Sequence, residues 1–226
     1  MHGMTVMTRA LLTPVLRTLP WRALAGGGAT ALLLAGIPRM LSGAPDPWLG
    51  LISLRGAALA LALGLAFLLD DPARHITSAV PVRRPLRVGL RVALALPGAA
   101  LCWTAAVFLV PEEARPPVGA LTLEAIATAV FALASAALVI QRSTATEPGV
   151  AVSTGLLSTA AAAFLLLPDG WALLVSPDDP RWTDTHERWA MLMTVALAVG
   201  TRACVEPLRA WRLGSFRGRA QQAAPL

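Results

Sequence analysis

Lysine and tyrosine are absent from this chain of 226 residues, and all 19 of its basic residues are arginines. Without lysine the chain cannot contain the phosphate-binding loop Gly-x-x-x-x-Gly-Lys-Ser/Thr, so it is not a P-loop ATPase on its own. Phenylalanine is scarce, and no basic stretch is interleaved with aromatic side chains that stack on bases. We therefore expect no nucleic-acid binding, in spite of the formal charge of +6.

The residues of catalytic and metal sites are equally sparse. His186 and Glu187 are neighbours, but no second histidine follows at the spacing of zinc proteases. The two cysteines, Cys102 and Cys204, fall near opposite ends of two predicted helices, too far apart for a disulfide. We expect them to be small apolar residues of packed helices. The sequence therefore predicts no catalytic residue, no metal and no cofactor in this chain.

Apolar residues dominate the composition instead. Hydrophobic residues make up 56% of the chain and charged residues 14%, and the mean hydropathy is +0.63. A bilayer core about 30 Å thick is crossed by about 20 mostly apolar residues of helix. Six segments meet this requirement or come close to it: 23–41, 49–69, 88–110, 119–140, 149–167 and 189–205. The chain is thus predicted to be an all-α integral membrane protein with about six transmembrane helices.

The first of these spans is the weakest. It contains the run Gly26, Gly27 and Gly28, which are poor helix formers, and it is interrupted by Pro38 and Arg39. We expect it to be short, kinked or tilted. Its basic flank also makes it similar to a secretory signal peptide, but five further spans follow, and we expect it to be retained.

The domain organisation follows from the spans. Residues 1–22 carry apolar residues at helical spacing, opposite arginines and threonines, which predicts an amphipathic helix at the membrane surface. Pro14 interrupts this pattern. Residues 23–206 form the predicted six-helix transmembrane domain, and residues 207–226 form a basic cytoplasmic tail.

The arginines predict the orientation, because positively charged flanks stay on the cytoplasmic side. With the N-terminus inside, 14 of the 19 arginines fall on the cytoplasmic side, and nine of the 13 acidic residues fall outside. We therefore expect a multi-pass protein of the cell membrane with both termini in the cytoplasm.

Glu124 is the one acidic residue placed well inside a predicted span. It lies about five residues into the fourth span, near the outer face, where it could line a polar pathway. The alternative is a carboxylate that reaches the headgroups or the outer water. Arg55 falls at a similar depth in the second span, and we expect it to pair with Glu124.

Two connections are longer than a link between helices requires. The inner loop, 70–87, starts with acidic residues and ends with a basic, proline-bounded stretch, which indicates a docking surface or a solvated loop that only sets topology. The outer loop, 168–188, contains an apolar piece, 170–175, that is too short to span the bilayer. That piece predicts a re-entrant or interfacial element, with a plain loop as the alternative.

In its layout and in several short stretches, the chain resembles the membrane-spanning subunit of a type 2 ABC exporter, in the small, Arg- and Ala-rich form of actinobacteria. The shared layout is a basic amphipathic N-terminal stretch, six spans with both ends inside, and two long loops in corresponding places. The similar stretches are Leu69-Asp70-Asp71-Pro72, Val82-Arg83-Arg84-Pro85-Leu86, and Asp179-Pro180-Arg181-Trp182 with His186-Glu187-Arg188-Trp189-Ala190.

The resemblance implies that a separate ABC ATPase binds ATP and docks on a coupling helix in the inner loop. It also implies a second permease subunit, identical or different, and re-entrant helices in the last outer connection. The residues expected to dock the ATPase are Asp70, Asp71, Arg74, His75, Arg83, Arg84 and Arg87. Glu124 and Arg55 would line the pathway. The alternative is a membrane anchor or assembly subunit without transport, and an embedded enzyme ranks third because no nucleophile or acid pair stands out.

Overall fold

The computed structural model describes residues 16–41, 46–70, 84–143 and 147–204, and every regular element in this part of the chain is a helix. Six long helices follow one another: α1 (Trp21–Leu41), α2 (Pro47–Ala66), α3 (Arg84–Leu109), α4 (Val118–Arg142), α5 (Gly149–Leu166) and α6 (Trp182–Cys204). Single 3-10 turns extend α2 at Phe67–Leu69 and interrupt two connections at Glu112–Ala114 and Asp169–Trp171. The predicted all-α membrane fold is confirmed.

The six helices alternate in direction. Arg39 near the end of α1 donates to the carbonyl of Leu109 at the end of α3, which places both C-termini together. At the other end of the bundle, Asp70 after α2 accepts a hydrogen bond from Gly149, the first residue of α5. We call these two ends the Asp46 end and the Asp70 end, after the residues that flank α2. Both α1 and α6 have their described free ends at the Asp70 end.

Helix α2 lies at the centre of the bundle. It packs most extensively against α1 and α4, and it also contacts α3 and the start of α5. Toward the Asp46 end, Leu51 and Leu54 are buried against residues of α1, α3 and α4. Toward the Asp70 end, Ala62 and Ala66 pack with alanines of α4 and the last turn of α6. Burial of small side chains on α2 therefore lets several helices approach it closely.

The glycine run of α1 serves this packing. A Cβ atom on Gly27 would lie 2.7 Å from the Ala60 carbonyl oxygen and 3.0 Å from the Cα of Gly64, both on α2. The helix is continuous over 21 residues and includes Pro38, which is buried. The alternative in which α1 is short was therefore wrong, and that it is kinked or tilted remains a prediction. The glycines weaken an isolated helix, but within the bundle Gly27 permits close contact with α2.

Five helices, α1 to α5, are long and apolar enough to cross a membrane, with α2 running on to Leu69. The chain is thus a multi-pass membrane protein. Helix α6 has 23 residues, but its first turns carry Asp184, Glu187 and Arg188. It begins seven residues before the predicted span, so the predicted outer loop, 168–188, was too long at its end. Acidic residues near a helix N-terminus favour this early start.

Three predictions fall outside the described residues. These are most of the amphipathic segment 1–22, the basic tail 207–226, and residues 71–83 of the inner loop. The inner loop is shorter than predicted, because α3 starts at Arg84 and therefore includes both Arg84 and Arg87.

Candidate functional site: a buried charge cluster at the Asp46 end

Arg55 of α2 and Glu124 of α4 form a two-pronged ion pair inside the bundle. The Arg55 Nε atom lies 2.8 Å from Glu124 Oε2, and its Nη2 atom lies 2.8 Å from Oε1. The two side chains are only 14% and 4% exposed. Parallel N–H donors on both carboxylate oxygens are the strongest arrangement that an arginine and a carboxylate adopt.

The position of each residue along its helix explains the pairing. Arg55 lies about 12 Å and Glu124 about 9 Å from the first residue of its helix, by the usual rise per residue. Both helices start at the Asp46 end, so these depths match. The expected pairing of Arg55 with Glu124 is confirmed, and the alternative in which Glu124 reaches outer water was wrong, since its side chain points inward. That the pair lines a transport pathway remains a prediction.

His186 of α6 completes the cluster, and the sequence reasoning missed it. Its Nε2 atom lies 3.1 Å from Glu124 Oε1, and its side chain is 12% exposed. On the other side of the ring, Nδ1 lies 2.7 Å from the carbonyl oxygen of Trp182, one turn earlier in α6. The centroids of the Trp182 and His186 rings lie 4.3 Å apart, so the two rings are in contact. Three helices thus meet at one carboxylate.

The missed signal was the helical spacing of Trp182 and His186. The requirement for about 20 apolar residues placed the start of α6 at the first long apolar run. His186 was therefore assigned to a loop, where a partner on α4 was not expected. Four residues are one helical turn, so a helix through both residues stacks one on the other. That early start is what carries His186 into the bundle.

The connection before α6 folds back along the first turns of that helix. The Thr185 hydroxyl, fully buried, donates to the Ala172 carbonyl at 3.2 Å, and the Trp189 indole donates to the Leu173 carbonyl at 2.9 Å. Val175 is buried in the same segment. Beyond the three-residue turn at Asp169–Trp171, this connection is irregular rather than helical until Trp182. That it forms a re-entrant or interfacial element of the membrane remains a prediction.

A second polar site, which we call the Asp70 junction, lies at the opposite end. Asp70 Oδ1 accepts a hydrogen bond from the Gly149 N–H at 2.8 Å, and the Asp70 carbonyl accepts one from Arg91 Nη1 at 3.0 Å. Arg91 is 5% exposed. Asp70 therefore ties the end of α2 to α3 and to the N-terminus of α5, where a carboxylate is favoured by the exposed N–H groups.

Burial raises the pKa of the Asp70 carboxyl, the Gly149 N–H opposes the increase, and the charge of Glu147 adds to it. In the connection before α6 the opposite holds, because hydrogen bonds from Arg181 lower the pKa of Asp179 to about 2.

The predicted docking residues are only partly placed. Asp70 is engaged within the chain, Arg84 and Arg87 belong to the first turn of α3, and the others lie outside the described residues: Asp71, Arg74, His75 and Arg83. In the described part of the chain, the structure does not bring the Asp70 junction near the Arg55, Glu124 and His186 cluster. The two sites mark opposite ends of one bundle.

These features define a class, the multi-pass all-helical membrane proteins with a charge cluster buried between helices. No protein-family model matches the chain, and neither a curated protein nor a solved structure is detectably similar to it.

Proposed function

We propose that the chain is the membrane-spanning subunit of an ATP-driven exporter, in which a separate ABC ATPase binds and hydrolyses ATP. The Asp70 junction carries the proposal. The inner loop leaves α2 at Asp70, and that residue is hydrogen-bonded to α3 through Arg91 and to α5 through Gly149. A partner that displaces the loop would thus move three helices together.

The charge distribution supports a cytoplasmic Asp70 end, where such an ATPase would bind. Among the described residues, that end holds seven arginines and two acidic residues, whereas the Asp46 end holds five arginines and nine acidic residues. Arginine-rich flanks stay in the cytoplasm. The seven arginines are Arg17, Arg22, Arg84, Arg87, Arg91, Arg142 and Arg202.

The packing of α5 supports a second membrane subunit. Helix α5 contacts α2 and α4 through its first turns, and over the described residues it makes no extensive contact with α6. Phe164, Leu165 and Leu166 at its far end are 71%, 73% and 78% exposed. A helix attached at one end only leaves the bundle open along that side, as expected for half of a transporter.

In this proposal the buried cluster acts at the outer side. A charged group within a membrane bundle is costly unless paired, and its usual role is in a pathway or gate. Arg55, Glu124 and His186 hold α2, α4 and α6 together at the Asp46 end. Separation of these helices would open the outer mouth, while the Asp70 junction would receive the driving motion.

The test is co-purification of the tagged chain from membranes of its native host, followed by measurement of ATPase activity and export by intact cells. The double variant Arg83→Glu, Arg84→Glu should no longer co-purify with an ATPase, and its ATPase and export activities should be lost. Arg142→Glu is the matched control, since Arg142 is exposed at the Asp70 end but lies at the end of α4, outside the loop. Purification without an ATPase, or an Arg83 and Arg84 variant that keeps it with unchanged topology, would contradict the proposal.

One observation favours a second candidate, a membrane anchor or assembly subunit without transport. Each charge of the Arg55 and Glu124 pair is satisfied within the chain, so the pair also serves as a purely structural clamp. The exposed length of α5 would then pack against an integral partner. Capture of a stable membrane partner without any ATPase would favour this candidate.

A further inference from the structure

The two ring nitrogens of His186 each face an oxygen that accepts hydrogen bonds. Nδ1 lies 2.7 Å from the Trp182 carbonyl oxygen, and Nε2 lies 3.1 Å from Glu124 Oε1. A carbonyl oxygen only accepts, and so does a carboxylate whose two oxygens both receive N–H groups from Arg55. Each contact is therefore favourable only if the histidine nitrogen carries a proton.

A neutral imidazole has one N–H group, so one of the two oxygens would face a nitrogen lone pair. The short Nδ1 contact within α6 takes that single proton, which leaves Nε2 bare against Glu124. Among the described residues, Nε2 makes no hydrogen bond, although it lies 3.1 Å from Glu124 Oε1. Only the imidazolium form makes both contacts attractive.

We propose that His186 is a proton-binding site, and that its imidazolium form clamps the N-terminal turns of α6 onto the Arg55 and Glu124 pair. Proton loss would leave Arg55 and Glu124 joined but would remove the attraction of α6 for Glu124. Imidazole changes charge between about pH 5 and 8, so the clamp is strongest at the acidic end of this range. The inference does not depend on whether the chain is a transport subunit.

The charged surroundings of His186 support a single dominant partner. Arg55 faces it from α2 and Glu124 from α4. Among the described side chains of α6 and of the connection before it, Asp178, Asp184, Glu187 and Arg202 are exposed, and Arg188 lies over the Trp171 ring. Asp179 is paired with Arg181. Glu124 is therefore the carboxylate whose removal should release the proton.

Nitrogen NMR of the single imidazole tests this directly. His2→Gln with His75→Gln leaves His186 as the one histidine, and ¹⁵N-histidine labelling in lipid nanodiscs then reports the protonation of both ring nitrogens. At pH 6, with the cluster intact, we expect both ring nitrogens to be protonated. In the Glu124→Gln variant, which removes the opposite charge in contact, the share of protonated ring at the same pH should be lower.

Glu187→Gln is the matched control, because it removes an exposed carboxylate next to His186 in the chain and should leave the titration unchanged. A neutral ring at pH 6 with the cluster intact would overturn the proposal, and this measurement needs no Glu124 variant to fold. An equal effect of the Glu124 and Glu187 changes would overturn it as well.

Amide hydrogen exchange tests the clamp itself. At pH 6, His186→Gln should speed exchange in the first turns of α6 relative to the unaltered chain, and at pH 9 the two proteins should exchange equally. Comparison at one pH removes the intrinsic pH dependence of exchange. Equal protection at pH 6 would show that the proton does not hold α6.

Discussion

Gly27 of α1 and Gly64 of α2 lie in contact where these two helices cross. A Cβ atom on Gly27 would lie 3.0 Å from the Gly64 Cα and 2.7 Å from the carbonyl oxygen of Ala60. Both neighbours are backbone atoms, which cannot rotate away. Close backbone approach is a main source of attraction between helices in lipid, because the apolar side chains gain nothing over lipid tails.

Gly27→Ala should therefore destabilise the protein, by about 1–3 kcal/mol, because α1 and α2 must move apart. The measurement is the free energy of unfolding in detergent micelles. Gly26→Ala is the control one residue away, since a Cβ there meets no atom within 4 Å, and it should be neutral or slightly stabilising. Similar losses for the two variants would show that α1 does not cross α2 at this point.

The Arg55 and Glu124 pair predicts strong coupling between two substitutions. Arg55→Met or Glu124→Met alone leaves a buried charge without its partner and should cost about 3–5 kcal/mol. The double variant should cost clearly less than the sum, because both charges are gone. A double-mutant cycle on unfolding measures this, and additive effects would contradict the pairing. Arg181→Met is the control, since Arg181 is 39% exposed, and should have little effect.

Asp70 predicts a pH-dependent effect with a defined sign. Burial raises the pKa of this carboxyl, so the folded chain binds a proton more readily than the unfolded chain. The stability of the unaltered protein should then fall as pH rises from the unfolded pKa of Asp, 3.8, through the folded one. Asp70→Asn lacks this loss, so its stability relative to the unaltered protein should improve from pH 4 to pH 7.

Glu147→Gln serves as the test of cause for Asp70, since the charge of Glu147 contributes to the raised pKa. In the Glu147→Gln background, the part of the pH dependence of stability that Asp70 causes should be smaller. Unfolding by denaturant at several pH values measures both effects. A stability advantage of Asp70→Asn that grows toward acid pH would have the wrong sign for this account.

Trp189 predicts how firmly the connection before α6 is held. Trp189→Phe keeps an aromatic ring but removes the donor to the Leu173 carbonyl, so the connection should be cleaved faster by protease. Trp171→Phe is the matched control, because the Trp171 ring is 63% exposed. Limited proteolysis of reconstituted protein measures the rates, and equal cleavage of the two variants would contradict the anchoring role of Trp189.

The sequence was most informative where hydropathy alone decides structure. Long apolar runs predicted five of the helix starts to within a few residues, since a membrane span needs length and apolarity more than specific contacts. The start of α6 at Trp182 was missed because its polar first turns resemble a loop on that measure. Those turns carry His186, so the error in a helix boundary became an error in the site.

The tertiary contacts were predicted less completely, for a different reason. Arg55 and Glu124 were expected to meet because two charges at equal depth have few other partners in lipid. Gly27 was read as a defect of α1, because helix propensity describes one helix and the contact with Gly64 needs two. Asp70 was assigned to docking, and its hydrogen bond to Gly149 spans a sequence separation that no local pattern reveals.

The central prediction is that α6 crosses the membrane in addition to the five long apolar helices, with the Asp46 end and the Asp70 end on opposite sides. Cysteine accessibility in intact cells tests it most directly, in a background with Cys102→Ala and Cys204→Ala. A membrane-impermeant reagent should label Ser176→Cys from outside, whereas Ser78→Cys and Ser215→Cys should react only after permeabilisation. Labelling of Ser215→Cys from outside together with Ser176→Cys would show that α6 does not cross, and labelling of Ser78→Cys and Ser176→Cys from one side would contradict the alternating arrangement.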